Sequence, residues 1–134
     1  MTASGQEREP SPALVAQRLA GERALALDQL ARLDADLRSL IDSSQDSNAD
    51  DEHDPEGHTI AYERSQLSAL AEHGRAHLAA IEAATARLAD GTYWFCEVCG
   101  EPIGEGRLEA RPSTRTCVRH ATAAGSRGIR RRRT

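Results

Sequence analysis

Apolar residues recur at a three-four spacing through two long stretches of this chain, and between those stretches they nearly vanish. From Pro12 to Ile41 the repeat runs through Leu19, Ala26, Leu30, Leu33, Leu37 and Leu40. That spacing predicts one long amphipathic helix with a coiled-coil-like seam. The repeat resumes with Ile60, Leu67, Leu70, Gly74, Leu78, Ile81 and Leu88. It predicts a second helix that stops near Asp90-Gly91, since glycine ends helices by taking a backbone conformation other residues resist. Residues 42–57 are polar, acidic and rich in breakers, and Pro55 and Gly57 discourage helix at the end of that stretch, so it is expected to be a connection. Each helix alone would expose an apolar stripe to water. Two stripes of similar length joined by a polar tip bury each other as an antiparallel hairpin.

Composition narrows the picture. The chain has 134 residues, 39% of them hydrophobic and only 3% aromatic, so its core must come mainly from Leu and Ala in one modest domain. No apolar run approaches the roughly 20 residues of a membrane span, and the N-terminus lacks the apolar core of a signal sequence. A cytoplasmic address is expected. All 17 basic residues are arginine. The net charge of −4 hides an asymmetry: Asp42 to Glu63 carries carboxylates and no arginine, while Arg107 to the C-terminus carries many arginines and one glutamate. Such polarity suits a molecule that offers different ends to different surfaces. Residues 1–11, with Pro10 among polar neighbours, read as a disordered lead, and residues 125–134, with Arg130 to Arg133, as a basic flexible tail.

Chemistry concentrates after the second helix. Cys96-Glu97-Val98-Cys99 is followed, after a gap of 17 residues, by Cys117-Val118-Arg119-His120, and the pattern uses all 3 cysteines of the chain. Two short-spaced pairs, each able to seat both ligands on a tight knuckle, are what a tetrahedral zinc ion needs, and thiolate with imidazole suits its borderline-soft character. Gly100 and the Gly104-Glu105-Gly106 stretch supply permissive backbone where the chain must fold back. The reading is one structural Zn2+ in a Cys3His site over residues 91–124. Closed coordination argues against an enzyme, because catalytic zinc keeps one position open for water. Competing readings are a redox CxxC, a secreted disulfide, three unrelated thiols, or a three-thiolate site with His120 turned away. The expected fold is therefore mainly α: a long antiparallel helical hairpin (12–90) with its acidic tip at 42–57, then the zinc knuckle at the opposite end, and a short terminal helix from Ala121 to Ala124. Tyr93 and Trp94 are expected to cover the finger's small core. His73 and His77 stand four apart on the second helix, a spacing that can bind metal, but lie at the edge of the seam with no third ligand evident; they read as an exposed pair.

Helical hairpin, acidic tip and zinc knuckle, together with Gly91-Thr92-Tyr93, Cys96-Glu97-Val98-Cys99-Gly100, Glu101-Pro102-Ile103-Gly104 and Arg107-Leu108-Glu109-Ala110-Arg111-Pro112 ending at Cys117, resemble the DksA/TraR family of bacterial RNA polymerase-binding regulators. The family's fourth ligand is usually cysteine, and His120 stands there. The resemblance implies a monomeric transcription regulator that enters the secondary channel of RNA polymerase. Its hairpin tip would lie near the catalytic centre, and its globular end, with Arg111, on the channel rim. The family's tip pattern, Asp-x-x-Asp-x-Ala, laid from Asp54 meets Gly57 and Thr59, so only Asp54 matches. The tip stays acidic through Asp50, Asp51, Glu52 and Asp54. Better-known members respond to guanosine tetraphosphate through three basic positions, of which Arg111 is kept while the others fall on Ala80 and Ala121. Cooperation with that nucleotide is expected to be weak or absent, with Arg130 to Arg133 the available substitute.

Two other readings compete. Cys-x2-Cys-x17-Cys-x2-Cys is also the spacing of GATA-type DNA-binding fingers, and an arginine-rich tail follows here too. Glu97, Glu101, Glu105 and Glu109 would face phosphate with the wrong charge, and no recognition helix is evident, so sequence-specific DNA binding is not expected. A zinc-stabilised coiled-coil adapter differs from the favoured reading only in who binds the tip.

Overall fold

A computed structural model describes residues 10–47 and 55–121. In chain order it contains α1 (Pro12–Ser47), α2 (Pro55–Asp90), the short α3 (Glu105–Ala110) and a single 3-10 turn at Val118–His120. Both long helices have 36 residues. They form a hairpin, and none of the described helices is long and apolar enough to cross a membrane.

α1 begins where its chemistry says it should. Ser11 caps it: the Leu14 N–H donates to the Ser11 hydroxyl at 3.1 Å and the Val15 N–H to the Ser11 carbonyl at 3.1 Å. Pro12 then fills the first helical position, where a missing N–H costs nothing. The expected end at Ile41 is six residues short, because α1 continues to Ser47. α2 likewise starts at Pro55, not near Ile60. The expected connection at 42–57 is thus helical at both ends. Pro55 serves as a helix starter, again at the first position, and Gly57 is tolerated within the helix at a modest cost in propensity. The tip residues Asp50, Asp51, Glu52 and Asp54 lie outside the described residues, as do most of the lead and the tail from residue 122 onward.

The chain divides into two compact units, residues 24–79 and residues 1–23 with 80–134. Within residues 24–79, α1 and α2 face each other with Ala26 and Ala71 buried and with Leu30, Leu33, Leu37, Leu40, Ile60, Leu67 and Leu78 half-buried. Leu70, expected in the seam, is 51% exposed. The inward series on α2 runs Leu67, Ala71, Gly74, Leu78, and the strict four-three alternation puts Ala71 inside and rotates Leu70 onto the flank. Arg75 reaches Asp34 across the pair at 3.1 Å, on the solvent side.

Within the other unit, the first turns of α1 pack against the last turns of α2. Val15, Leu19, Ile81 and Ala84 are enclosed, and Arg23 meets Glu82 at 3.2 Å. Val15 extends the seam one turn earlier than the leucine repeat indicated. α2 ends as expected: Gly91 adopts φ 88°, and the Thr92 N–H donates back to the Arg87 carbonyl at 3.0 Å. This is the glycine-terminated cap that satisfies the last carbonyls of a helix. Asp90 fastens the turn by accepting from the Thr92 N–H at 3.0 Å and its hydroxyl at 2.6 Å. These hydrogen bonds from Thr92 hold the Asp90 carboxyl below the usual carboxylate range.

Candidate metal centre

The finger is assembled on Tyr93, which is buried and donates its hydroxyl to the Pro112 carbonyl at 2.8 Å. Trp94 stands edge-on to it with ring centroids 4.9 Å apart. The two aromatics thus form part of the small core, as expected, joined by Ile103 and Leu108. Leu108 comes from α3, an element the sequence reading missed. Of the two glycines expected to supply permissive backbone where the chain folds back, only Gly104 takes a left-handed conformation (φ 103°), and helix starts immediately after it with Gly106 inside.

Each knuckle is shaped by backbone hydrogen bonds. In the first, the Cys96 N–H donates to the Glu101 carbonyl and the Gly100 N–H to the Cys96 carbonyl, both at 2.8 Å, with Gly100 at φ 76°. Only a residue without a side chain takes that turn at no steric cost. In the second, the 3-10 turn carries the His120 N–H back onto the Cys117 carbonyl at 3.0 Å. The two knuckles are tied to each other by the Glu97 N–H donating to the Arg115 carbonyl at 2.9 Å and by an Arg115–Glu97 ion pair at 3.4 Å.

The loop leading to Cys117 is held by two arginines. Arg107 donates to the Thr116 carbonyl at 2.8 Å and to the Thr114 hydroxyl at 3.2 Å, and Arg87 of α2 donates to the Thr114 carbonyl at 3.2 Å. Thr116 is buried beneath them. Nothing in the cysteine pattern announces this bracing; the arginines look like surface charge until the fold brings their guanidinium groups over the loop carbonyls.

The donor atoms of Cys96, Cys99, Cys117 and His120 all lie within 4.8 Å of one another. Cys99 and Cys117 sulfurs are 3.9 Å apart, and the His120 Nδ1 lies 3.2 Å from the Cys117 sulfur and 3.8 Å from that of Cys96. Four donors around one zinc, at about 2.0–2.3 Å each in a tetrahedron, would stand about 3.5–3.8 Å from one another. The donor set and its spacing fit a single structural zinc. The three cysteines are not joined by a disulfide, and His120 turns Nδ1 toward the sulfurs, not away from them.

The electrostatics favour thiolate at Cys96 and Cys117. Burial pushes the Cys96 thiol up, but backbone hydrogen bonds around Cys117, Cys99 and Val98 outweigh it and bring the thiol down to about 6. Cys117 is lowered chiefly by its contact with His120, and His120 is raised chiefly by Cys117. Cys99 is lowered by the backbone of Glu101, but burial and the neighbouring sulfurs more than offset this and leave it raised. Crowding several sulfurs around one point is unfavourable until a cation shares their charge.

Arg111 is exposed at the C-terminal end of α3, its N–H bonded to the Arg107 carbonyl at 2.7 Å. Among the expected rim positions, Ala80 is half-buried and Ala121 exposed. Exposed apolar residues flank the ligands: Phe95, Val98 and Val118.

Comparison with known proteins agrees with this geometry. Residues 91–119 match the family described as "Prokaryotic dksA/traR C4-type zinc finger". A Bacillus subtilis protein, "Uncharacterized protein YteA", is 38% identical over 81 residues, covering 60% of this chain and 34% of that one. An "RNA polymerase-binding transcription factor DksA" from Caulobacter vibrioides is 53% identical over 38 residues, covering 28% of this chain and 27% of that one. The matched stretches therefore span about a third of these curated relatives or less. Among solved structures, DksA2 from Pseudomonas aeruginosa superposes with a TM-score of 0.70 over 97% of this chain and 94% of that one, at 24% identity, which shows a shared fold.

Proposed function

We propose, for a chain whose finger and helical hairpin make it a member of the DksA/TraR family, that it is an RNA polymerase-binding transcription regulator acting through the enzyme's secondary channel. The observation that carries this reading is the finger. It has the family's sequence over residues 91–119 and a closed four-donor zinc site, and it follows directly on two helices of 36 residues each. A helix of that length spans about 54 Å at 1.5 Å per residue, enough for a probe that reaches into a deep channel.

In this reading zinc is structural. It holds the two knuckles together, and Arg87, Arg107 and Arg115 brace the loop that presents the second pair of ligands. Asp50, Asp51, Glu52 and Asp54 form the working tip. Carboxylates there would contact basic groups of the enzyme or perturb its active-site metal, which prefers oxygen ligands. Arg111, exposed and in a position kept from the family, contacts the channel rim. The protein acts as a cytoplasmic monomer, and guanosine tetraphosphate cooperates weakly or not at all, because Ala80 and Ala121 replace two charges. The exposed Glu97, Glu101 and Glu109 on the finger, and an α3 of only 6 residues, favour a protein partner over duplex DNA.

The test is binding of the zinc-loaded protein to core RNA polymerase in the presence of a competitor that occupies the secondary channel. Competed binding is expected; absent binding, or binding the competitor leaves untouched, would overturn the proposal. With binding established, Asp51→Asn with Asp54→Asn should keep affinity near normal while removing the effect on transcription. Equal loss of both would make the tip an affinity element instead.

A further inference from the structure

The two halves of the zinc site are held in different ways. The first knuckle closes on its own neighbourhood. Besides the main-chain bonds of Cys96 with Glu101 and Gly100, the Ile103 N–H donates to the Trp94 carbonyl at 2.9 Å, and the Val98 N–H donates to the Cys96 sulfur at 3.4 Å. All these partners fall within residues 94–103. A turn closed by its own short stretch of chain loses little entropy on forming.

The second knuckle depends on distant parts of the chain. The His120 N–H reaches the Cys117 carbonyl at 3.0 Å, but the approach to Cys117 is fixed by side chains. Arg107 Nε donates to the Thr116 carbonyl at 2.8 Å, and a terminal nitrogen of the same guanidinium donates to the Thr114 hydroxyl at 3.2 Å. That hydroxyl in turn donates to the Thr116 carbonyl at 3.3 Å, so guanidinium and hydroxyl converge on one oxygen. The oxygen belongs to the planar peptide whose nitrogen is that of Cys117, so holding it aims the Cys117 backbone. Thr116 is buried and Arg107 half-buried, which shields these bonds from water. Arg87, 27 residues before Thr114, donates to the Thr114 carbonyl at 3.2 Å. Its own carbonyl accepts the Thr92 and Tyr93 N–H groups at 3.0 and 3.2 Å. One residue therefore both closes α2 and holds the loop that leads to Cys117.

We infer that Arg107 is a positioning residue for the metal, setting Cys117 and His120 without touching zinc, and that the site opens from this side. When Arg107 or Arg87 releases Thr114–Thr116, the second ligand pair lets go of zinc while Cys96 and Cys99 keep their turn. Groups that orient metal ligands typically contribute about 10–100-fold to metal affinity. A planar fork is needed here, because a lysine ammonium on its flexible stem does not hold two acceptors in fixed geometry. Coupling between sites is reciprocal, so zinc held by the second pair also steadies the last turn of α2 through Arg87.

The experiment uses the full chain loaded with zinc, its metal content measured first. Zinc release to a chromogenic chelator is followed for the parent, Arg107→Lys and Arg87→Lys, which all keep the charge. Release is expected to be at least about tenfold faster with Arg107→Lys. It is expected to be faster by a smaller factor with Arg87→Lys, where one hydrogen bond to the loop is at stake. Amide exchange on the loaded proteins reads the order of opening. Arg107→Lys is expected to speed exchange at Thr114 and His120 and to leave Cys96 and Gly100 near the parental rate. Parental release rates in both variants would overturn the inference. Equal acceleration at both knuckles would do the same, since Arg107 would then support the whole finger and not one ligand pair. No readout involves polymerase, so the result stands apart from the regulator proposal.

Discussion

Among the described residues, the fully enclosed side chains of residues 24–79 are Ala26 and Ala71, whereas the unit holding the finger encloses Leu19, Ile81, Tyr93, Ile103 and Leu108 among others. The first region is two helices with leucines half in water. The second has a three-dimensional core, knuckles shaped by backbone hydrogen bonds, and a zinc site. Two paired helices enclose only small side chains at their closest approach and leave the longer ones open on one side, so their stability accumulates from many partial burials and from helix propensity. The finger is built instead on a few groups: a four-donor metal site, one buried tyrosine and the arginines over the loop carbonyls. A small domain with little aromatic content needs such staples.

The largest break in this comparison comes from removing zinc. Structural zinc binds zinc-finger peptides with apparent free energies of about 10–16 kcal/mol, most of it folding energy. Complete chelation should shift the emission of Trp94, the only tryptophan, to the red and strip amide protection from residues 91–121, while amides of residues 24–79 keep more of theirs. A melting curve and emission spectrum unchanged after verified metal loss would show that the hydrogen bonds alone hold the finger.

Truncating single leucine-type side chains sharpens the contrast. Ile81→Ala, at a site fully enclosed, should cost about 2–5 kcal/mol in denaturant unfolding. Leu70→Ala, on the exposed flank, should cost under about 1 kcal/mol. Similar losses at the two sites would mean that residues 24–79 are packed more tightly than their exposure indicates.

The smallest effect has the opposite sign. Gly74→Ala puts a methyl group at ordinary contact distance from Leu30 and should stabilise the hairpin by about 0.5–1 kcal/mol through helix propensity. The gain should appear as slower amide exchange within 24–79 and leave the finger unaltered. Destabilisation would show that Leu30 has no room to yield.

Much of this was legible beforehand, for identifiable reasons. The leucine repeat needs only the helical period to be read, and the ligand pairs need only the coordination preference of zinc, so the hairpin, its glycine stop at Gly91 and the four donors followed from local spacing. The errors occurred where local rules compete. Pro55 breaks a helix in its interior but opens one at its first position, and nothing local distinguishes the two until the helix is seen to begin there. Leu70 and Ala71 both fit a loose three-four repeat, and only the partner helix decides which of them faces inward.

Chain composition and spacing by themselves determined that this protein is two long paired helices followed by a zinc knuckle, because periodicity and ligand chemistry act over a few residues. Tertiary structure alone decided that Arg87 and Arg107 hold the Thr114–Thr116 loop and that His120 turns Nδ1 toward the sulfurs. Each of these joins groups from separate segments, and which groups meet is settled by how the helices pack and where the finger folds back, not by any residue's immediate neighbours.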